Sequence, residues 1–103
     1  MFDDLLGNLQ KQQAEMQQKL AGIFVEAEAG DDAVTVKAAA DMHIENIKID
    51  PAKVDINDRE QLEDLLVVAV NRALDLARAK AAAETGKLFE GMMPGGMDQF
   101  LKP

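Results

Sequence analysis

The sequence predicts an α+β domain in the order α-β-β-β-α, and two patterns of apolar residues carry this prediction. Near the N-terminus, and again beyond residue 57, apolar residues recur every three or four positions, which is typical of helices. Between these segments they alternate with polar residues, which is the period of strands with one exposed face. We therefore expect one small domain, a three-stranded antiparallel meander with a helix on either side of it in the sequence.

The first helix is predicted from Asp3 to about Ala21, with Gly22 ending it. Its apolar residues form a narrow seam of the coiled-coil type, and most other positions carry glutamine or lysine. A helix with so little apolar surface is expected to pair with another helix, in the same chain or in a partner. The seam consists of Phe2, Leu5, Leu9, Met16, Leu20 and Ile23, with Gln12 at one step.

Three strands are predicted between Ile23 and Asp50, with turns at residues 30–32 and 40–42. Pro51 ends the third strand because proline cannot donate to a ladder. The strands share one apolar face, and a sheet of this size needs something to cover that face. Its residues are Val25, Ala27, Val34, Val36, Ala38, Ile47 and Ile49.

The second helix is predicted to begin at an Asn57 N-cap with Glu60 completing a capping box, and to run at least to Thr85, with Gly86 or Gly91 as its stop. A broad apolar arc on this helix is expected to cover the sheet. The arc contains Leu62, Leu65, Leu66, Ala69, Val70, Ala73, Leu74, Leu76 and Ala77.

Beyond Ala79 the same arc carries Lys80, Glu84 and Lys87. Charged residues on a formerly apolar face indicate that the helix is longer than its sheet. Its distal half is therefore expected to project into solvent or to meet a partner. We divide the chain into a single domain at residues 1–90 and a flexible Gly/Pro/Met-rich tail at residues 91–103, with a hydrophobic hook on a neighbouring chain as the alternative for the tail.

The composition provides few side chains that could act as catalytic nucleophiles or bases. The chain has no Ser, Cys, Tyr or Trp, and its hydroxyl-bearing side chains are Thr35 and Thr85. The single His43 has no evident partner base or nucleophile, and a polar residue at the start of a strand explains it more simply. We expect no enzyme activity, no small-molecule substrate, no cofactor and no metal site.

The N-terminal sequence and the hydropathy indicate a cytoplasmic protein without a membrane partner. Asp3 and Asp4 stand where a signal peptide would carry positive charge, and no apolar run approaches the ~18 residues of a membrane span.

Charge is distributed unevenly along the chain. The formal net charge is −8, and residues 23–50 contribute −5, whereas residues 72–89 carry +2. The helix macrodipole favours acids at a helix N-terminus and bases at its C-terminus, and this explains the gradient adequately. The functional interpretation is that the basic end of the helix contacts phosphate. The macrodipole and the phosphate contact can both apply.

Taken in order, several short segments make the chain similar to a known family. They are Lys11, Gln12, Met16, Gln17 and Lys19 in the first helix, Gly30, Val34-Thr35-Val36, Ile47-Lys48-Ile49-Asp50-Pro51, Leu62-Glu63-Asp64-Leu65, Ala69, Asn71 and Ala73, and Gly91 with Pro94-Gly95. Their order, spacing and total length resemble the YbaB/EbfC family of small bacterial nucleoid-associated DNA-binding proteins. One departure is the segment Ala39-Ala40-Asp41, where relatives commonly place a glycine turn, which leaves room for a different turn type or register.

The resemblance implies an intertwined homodimer in which meanders and first helices pack together and two long helices project like tweezer arms. It also implies localisation in the nucleoid, binding of double-stranded DNA with a change in DNA conformation, and roles in nucleoid organisation and gene regulation.

The predicted DNA-binding residues are Arg72, Arg78, Lys80 and Lys87, with Lys11 and Lys19 as secondary candidates. No recognition-helix signature or aromatic stacking set is present, so phosphate contacts with little sequence specificity are expected. The alternative is a dimeric protein–protein adaptor that uses its helices and Met-rich tail and does not bind DNA.

Overall fold

The computed structural model describes residues 2–92 and has the predicted order of elements. The helices are α1 (Phe2–Ala21) and α2 (Arg59–Met92), and the strands are β1 (Phe24–Ala29), β2 (Val34–Ala39) and β3 (Ile44–Ile49). The three strands form one antiparallel sheet in the order β1-β2-β3. The predicted α-β-β-β-α fold with a meander and a long C-terminal helix is confirmed.

The register puts the predicted apolar residues on one face of the sheet. Val34 pairs with Ile49 and Val36 with Ile47, and cross-strand partners share a face. The register shifts between Lys37 and Ala38, close to the corner that lacks a glycine. At that corner Met42 adopts a left-handed φ of 74°, in a turn that leads directly into β3.

The turn between β1 and β2 depends on Gly30. Gly30, Asp31 and Asp32 all have positive φ, and short polar side chains tolerate this region better than others. A Cβ on Gly30 would lie 2.8 Å from Cδ2 of Leu65 on α2. Glycine is therefore favoured by the backbone conformation, and a Cβ at this position would also displace the end of the Leu65 side chain.

Helix α2 lies across β1 and β2 and forms the core with them. Ala69, Ala73 and Ala77, one turn apart, are fully buried against the sheet. Their small side chains let α2 approach the buried residues of β2. The prediction that the whole arc covers the sheet is wrong for Leu76, which lies at the margin of the helix–sheet contact and is 46% exposed.

Both predicted ends of α2 need correction. The capping residue is Asp58 and not Asn57, because Oδ1 of Asp58 accepts the backbone N–H of Gln61 at 3.1 Å while Asn57 donates its own N–H to Asp55. The helix also continues through Gly86 and Gly91 to Met92. Gly86 lies inside the helix at a cost of about 1 kcal/mol relative to alanine, and a Cβ at this position would meet nothing within 4 Å.

Two apolar surfaces stay uncovered in the single chain. The inner face of β3 extends beyond the edge of α2, so Ile44, Ile47 and Ile49 are exposed although they lie on the same face as the buried residues of β2. The N-terminal half of α1 exposes Phe2 and Leu5 in the same way. The chain is elongated, with a radius of gyration of 19.3 Å against the ~13 Å of a compact domain of this size.

The predicted tail from residue 93 onward lies outside the described residues, and the division at residue 90 stays a prediction. Between residues 2 and 92, neither helix is long and apolar enough to span a bilayer.

Candidate nucleic-acid interface

The distal half of α2 meets the C-terminal half of α1, and Glu84 lies at the centre of this contact. Nζ of Lys19 on α1 is 2.9 Å from Oε2 of Glu84, and Nζ of Lys87, one turn further along α2, is 3.2 Å from Oε1. The two helices also line a shared groove with Met16 and Leu88. Two of the predicted DNA-binding residues are thus brought together on one carboxylate.

Glu84 continues the buried stripe of α2 beyond the sheet. It follows Ala77 by two turns and is only 8% exposed, because α1 covers this part of the helix. Hydrogen bonds from Lys19, and then from Lys87, hold the pKa of the Glu84 carboxyl below its ordinary value of 4.5, against the opposing effect of burial. The carboxylate is therefore charged at neutral pH and shared by two ammonium groups.

Lys80 lies on the same side of α2 as Lys87. Seven residues are close to two helical turns, so the two lysines are separated by about 10 Å along the axis. Lys80 is exposed although it falls on the arc that is buried further back, since the sheet has ended at this point. This confirms that the helix is longer than the sheet it covers. No carboxylate in the described part of the chain pairs with Lys80.

Arg78 projects from a different side of α2 and forms an ion pair with Asp75. The two atoms Nη1 and Oδ1 are 3.0 Å apart, and both side chains are largely exposed. Water screens such a pair strongly, so it contributes little and is easily exchanged for another anion.

Arg72 and Lys11 lie apart from this group. Nη1 of Arg72 donates to the backbone carbonyl of Glu28 at 2.9 Å, which places the guanidinium at the edge of β1. Lys11 is exposed on α1, about 12 Å along the helix axis from Lys19. The structure therefore brings Lys19 and Lys87 together at the α1–α2 contact, places Lys80 on the same side of α2, and leaves the other three predicted residues elsewhere.

The acids of the sheet lie on exposed positions, among them Glu26 and Glu28 of β1 and Glu45 of β3, and none of them forms an ion pair with these lysines within residues 2–92. Within residues 2–92, no group of three or more acidic or histidine side chains is arranged to hold a metal ion.

Sequence reasoning placed Glu84 on the continuing helix face but gave it no role. The available signal was a single acid between two lysines on an arc that is otherwise apolar. Its partner Lys19 is 65 residues away, and only the packing of α1 against α2 brings the two together.

These features define a small α+β protein whose long helix carries lysines beyond an acidic sheet, an arrangement suited to contact with a polyanion. The model of the YbaB/EbfC DNA-binding family matches residues 1–92. The chain belongs to this family.

Proteins of several bacteria support the assignment. A nucleoid-associated protein of Myxococcus xanthus is 45% identical over 82 residues, covering 79% of this chain and 78% of that protein. A nucleoid-associated protein of Clostridium novyi is 42% identical, with 87% and 86% covered. The crystal structure of an uncharacterized protein from Helicobacter pylori has the same fold, with a TM-score of 0.71 at 16% identity, covering 85% of this chain and 92% of that one.

Proposed function

We propose that this chain is a homodimeric nucleoid protein that binds double-stranded DNA with little sequence specificity, alters its conformation and acts in nucleoid organisation and gene regulation. Membership in a DNA-binding family and the names of its relatives support a DNA-binding role in the nucleoid. The observation that carries the mechanism is the placement of lysines on α2 beyond the end of the sheet.

Phosphate contacts are proposed at Lys80, Lys87 and Arg78 on α2, with Lys19 beside them on α1. Point charges on long side chains fix a protein on the DNA backbone without reading bases. The acidic sheet repels phosphate, so the projecting helix ends are the part of the molecule that can approach DNA. Arg72 and Lys11 are kept as peripheral contacts because they lie at the sheet edge and further along α1.

The homodimer is proposed from the two uncovered apolar surfaces. A second copy that covers Ile47 of β3 and Leu5 of α1 would remove both from water at once. Burial of apolar area contributes about 25 cal/mol per Å², so these surfaces favour association. The dimer would present two lysine-bearing helix ends to one duplex.

A titration of duplex DNA tests this proposal. The two helix ends of a dimer should neutralise about 2–4 phosphates. A plot of the logarithm of the association constant against the logarithm of the salt concentration should therefore have a slope of about −2 to −4. Replacing Arg78, Lys80 and Lys87 with Glu should abolish binding while the helix content stays unchanged, because all three lie beyond the sheet contact. Since Lys87→Glu also removes one partner of Glu84, the dimer mass of this variant is measured alongside its DNA affinity.

The matched control replaces Lys37, Lys48 and Arg59 with Glu, which changes the charge by the same amount on the sheet and at the start of α2. This variant should retain most of the affinity. Wild-type affinity in the α2 triple variant would show that the projecting helix does not carry the contact. Absence of binding by the wild-type chain at the lowest salt would favour the adaptor, for which the exposed apolar surface of α1 is suited.

A further inference from the structure

We infer that Glu84 limits the affinity of this chain for DNA by holding Lys19 and Lys87, so that its carboxylate competes with phosphate for both ammonium groups. The inference rests on the proposed DNA binding and assigns a tuning role to an acidic residue inside the cationic surface. Lys19, Glu84 and Lys87 together carry a charge of +1, whereas the two lysines alone would carry +2.

The burial of the Glu84 carboxylate determines how strongly it retains the two lysines. The side chain of Glu84 is 10% exposed, whereas that of Asp75, the partner of Arg78, is 75% exposed. If Arg78 turns to a phosphate, water solvates Asp75 at little cost. If Lys19 and Lys87 turn away from Glu84, a carboxylate with little access to water loses its partners, which costs more than the same loss at the exposed Asp75.

The competition affects half of the proposed contacts. Lys19 and Lys87 lie on the buried carboxylate, whereas Lys80 has no carboxylate partner in residues 2–92 and Arg78 has an exposed one. Lys80 and Arg78 are therefore the cations most readily available to phosphate. The shallow salt dependence proposed above follows from the same arrangement.

The first experiment compares Glu84→Gln with the wild-type chain in a titration of short duplex DNA at several salt concentrations. Glutamine keeps the shape and an oxygen acceptor but removes the charge that holds the lysines. We expect the affinity to rise roughly tenfold and the salt slope to steepen by about one to two, as further lysines of a dimer become available to phosphate.

Glu90→Gln is the matched control, because Glu90 is exposed on the same helix and the substitution changes the net charge equally. It should raise the affinity much less. An effect of Glu84→Gln no larger than that of Glu90→Gln, or a loss of affinity, would overturn the inference while wild-type DNA binding leaves the proposed function intact. Absence of duplex binding by all three proteins would overturn both.

A second series does not depend on how Glu84→Gln folds. Lys19→Met, Lys87→Met and Lys80→Met each remove one positive charge from the native chain. Because Glu84 occupies the first two lysines, Lys80→Met should weaken DNA binding more than either of them. An equal or larger loss in Lys19→Met or Lys87→Met would show that Glu84 presents these lysines to DNA and does not withhold them.

Discussion

At the scale of the residue, Glu84 shows how one side chain can join two helices and set the charge of a surface. An acid on a buried stripe is unfavourable unless its charge is compensated, and here two lysines from different helices compensate it. The position of Glu84 on the buried arc could be predicted from helical periodicity. Its pairing with Lys19 could not, because that contact depends on the angle at which α1 meets α2.

The lowered pKa of Glu84 predicts a dependence of stability on pH. A carboxyl whose pKa is lower in the folded chain contributes stability that is fully present above its unfolded value of 4.5 and is lost as the pH falls through the lower folded value. We expect the free energy of unfolding of Glu84→Gln to lie below that of the wild type at neutral pH, and the two to converge as the pH falls below the lowered pKa of the folded Glu84 carboxyl.

Urea unfolding of both proteins between about pH 7 and about pH 3 measures this difference. Convergence on acidification is expected because a protonated Glu84 resembles glutamine and no longer attracts the lysines. A difference that persists or grows in acid would contradict the role of the two ion pairs.

At the scale of the element, the alternation of the strands and the long apolar arc of α2 specified most of the fold. Both patterns depend only on the spacing of apolar residues within one element. The observed order of elements and the buried face of β2 are therefore the predicted ones. The ends of α2 were less predictable. Asn57 and Asp58 are both good caps, and the geometry of the preceding turn selects Asp58. Gly86 is a usual stop for a helix, but α2 continues through it to Met92.

The buried alanines of α2, Ala69, Ala73 and Ala77, lead to a prediction about packing. Ala73 is fully buried at the contact with the sheet, and leucine at this position would force the helix away from β2. We expect Ala73→Leu to destabilise the chain by about 1–3 kcal/mol through overpacking, although leucine and alanine differ little in helix propensity.

Denaturant unfolding tests this, with Ala79→Leu as the matched control. Ala79 is exposed on the same helix, so the same substitution there should change the free energy of unfolding by less than about 0.5 kcal/mol. Equal stability of the two variants would mean that the helix does not pack closely on the sheet at Ala73.

At the scale of the whole molecule, the single chain leaves half of a helix without a sheet beneath it and one strand face uncovered. Helix α2 spans roughly 50 Å and the six-residue strands roughly 20 Å, so half of the helix has no sheet beneath it. Across the sheet, α2 covers β1 and β2 and leaves the apolar face of β3 exposed. The sequence predicted that α2 would be longer than the sheet. It did not show which strand α2 would leave exposed, because the choice of strand depends on how the helix crosses the sheet.

The proposed homodimer makes the last prediction. Ile47 is 42% exposed on the face that β3 shares with the core, and a lysine there should be tolerated by a single chain but not by an apolar interface. We expect Ile47→Lys to shift the protein from dimer to monomer in light scattering at micromolar concentration. DNA affinity should fall with it, because a monomer presents one helix end and neutralises about half as many phosphates. Ile56→Lys is the control, since Ile56 is 80% exposed in the loop before α2 and its replacement should leave the dimer intact. A dimer that survives Ile47→Lys would place the interface away from β3, and a wild-type monomer would remove the homodimer from the proposed mechanism.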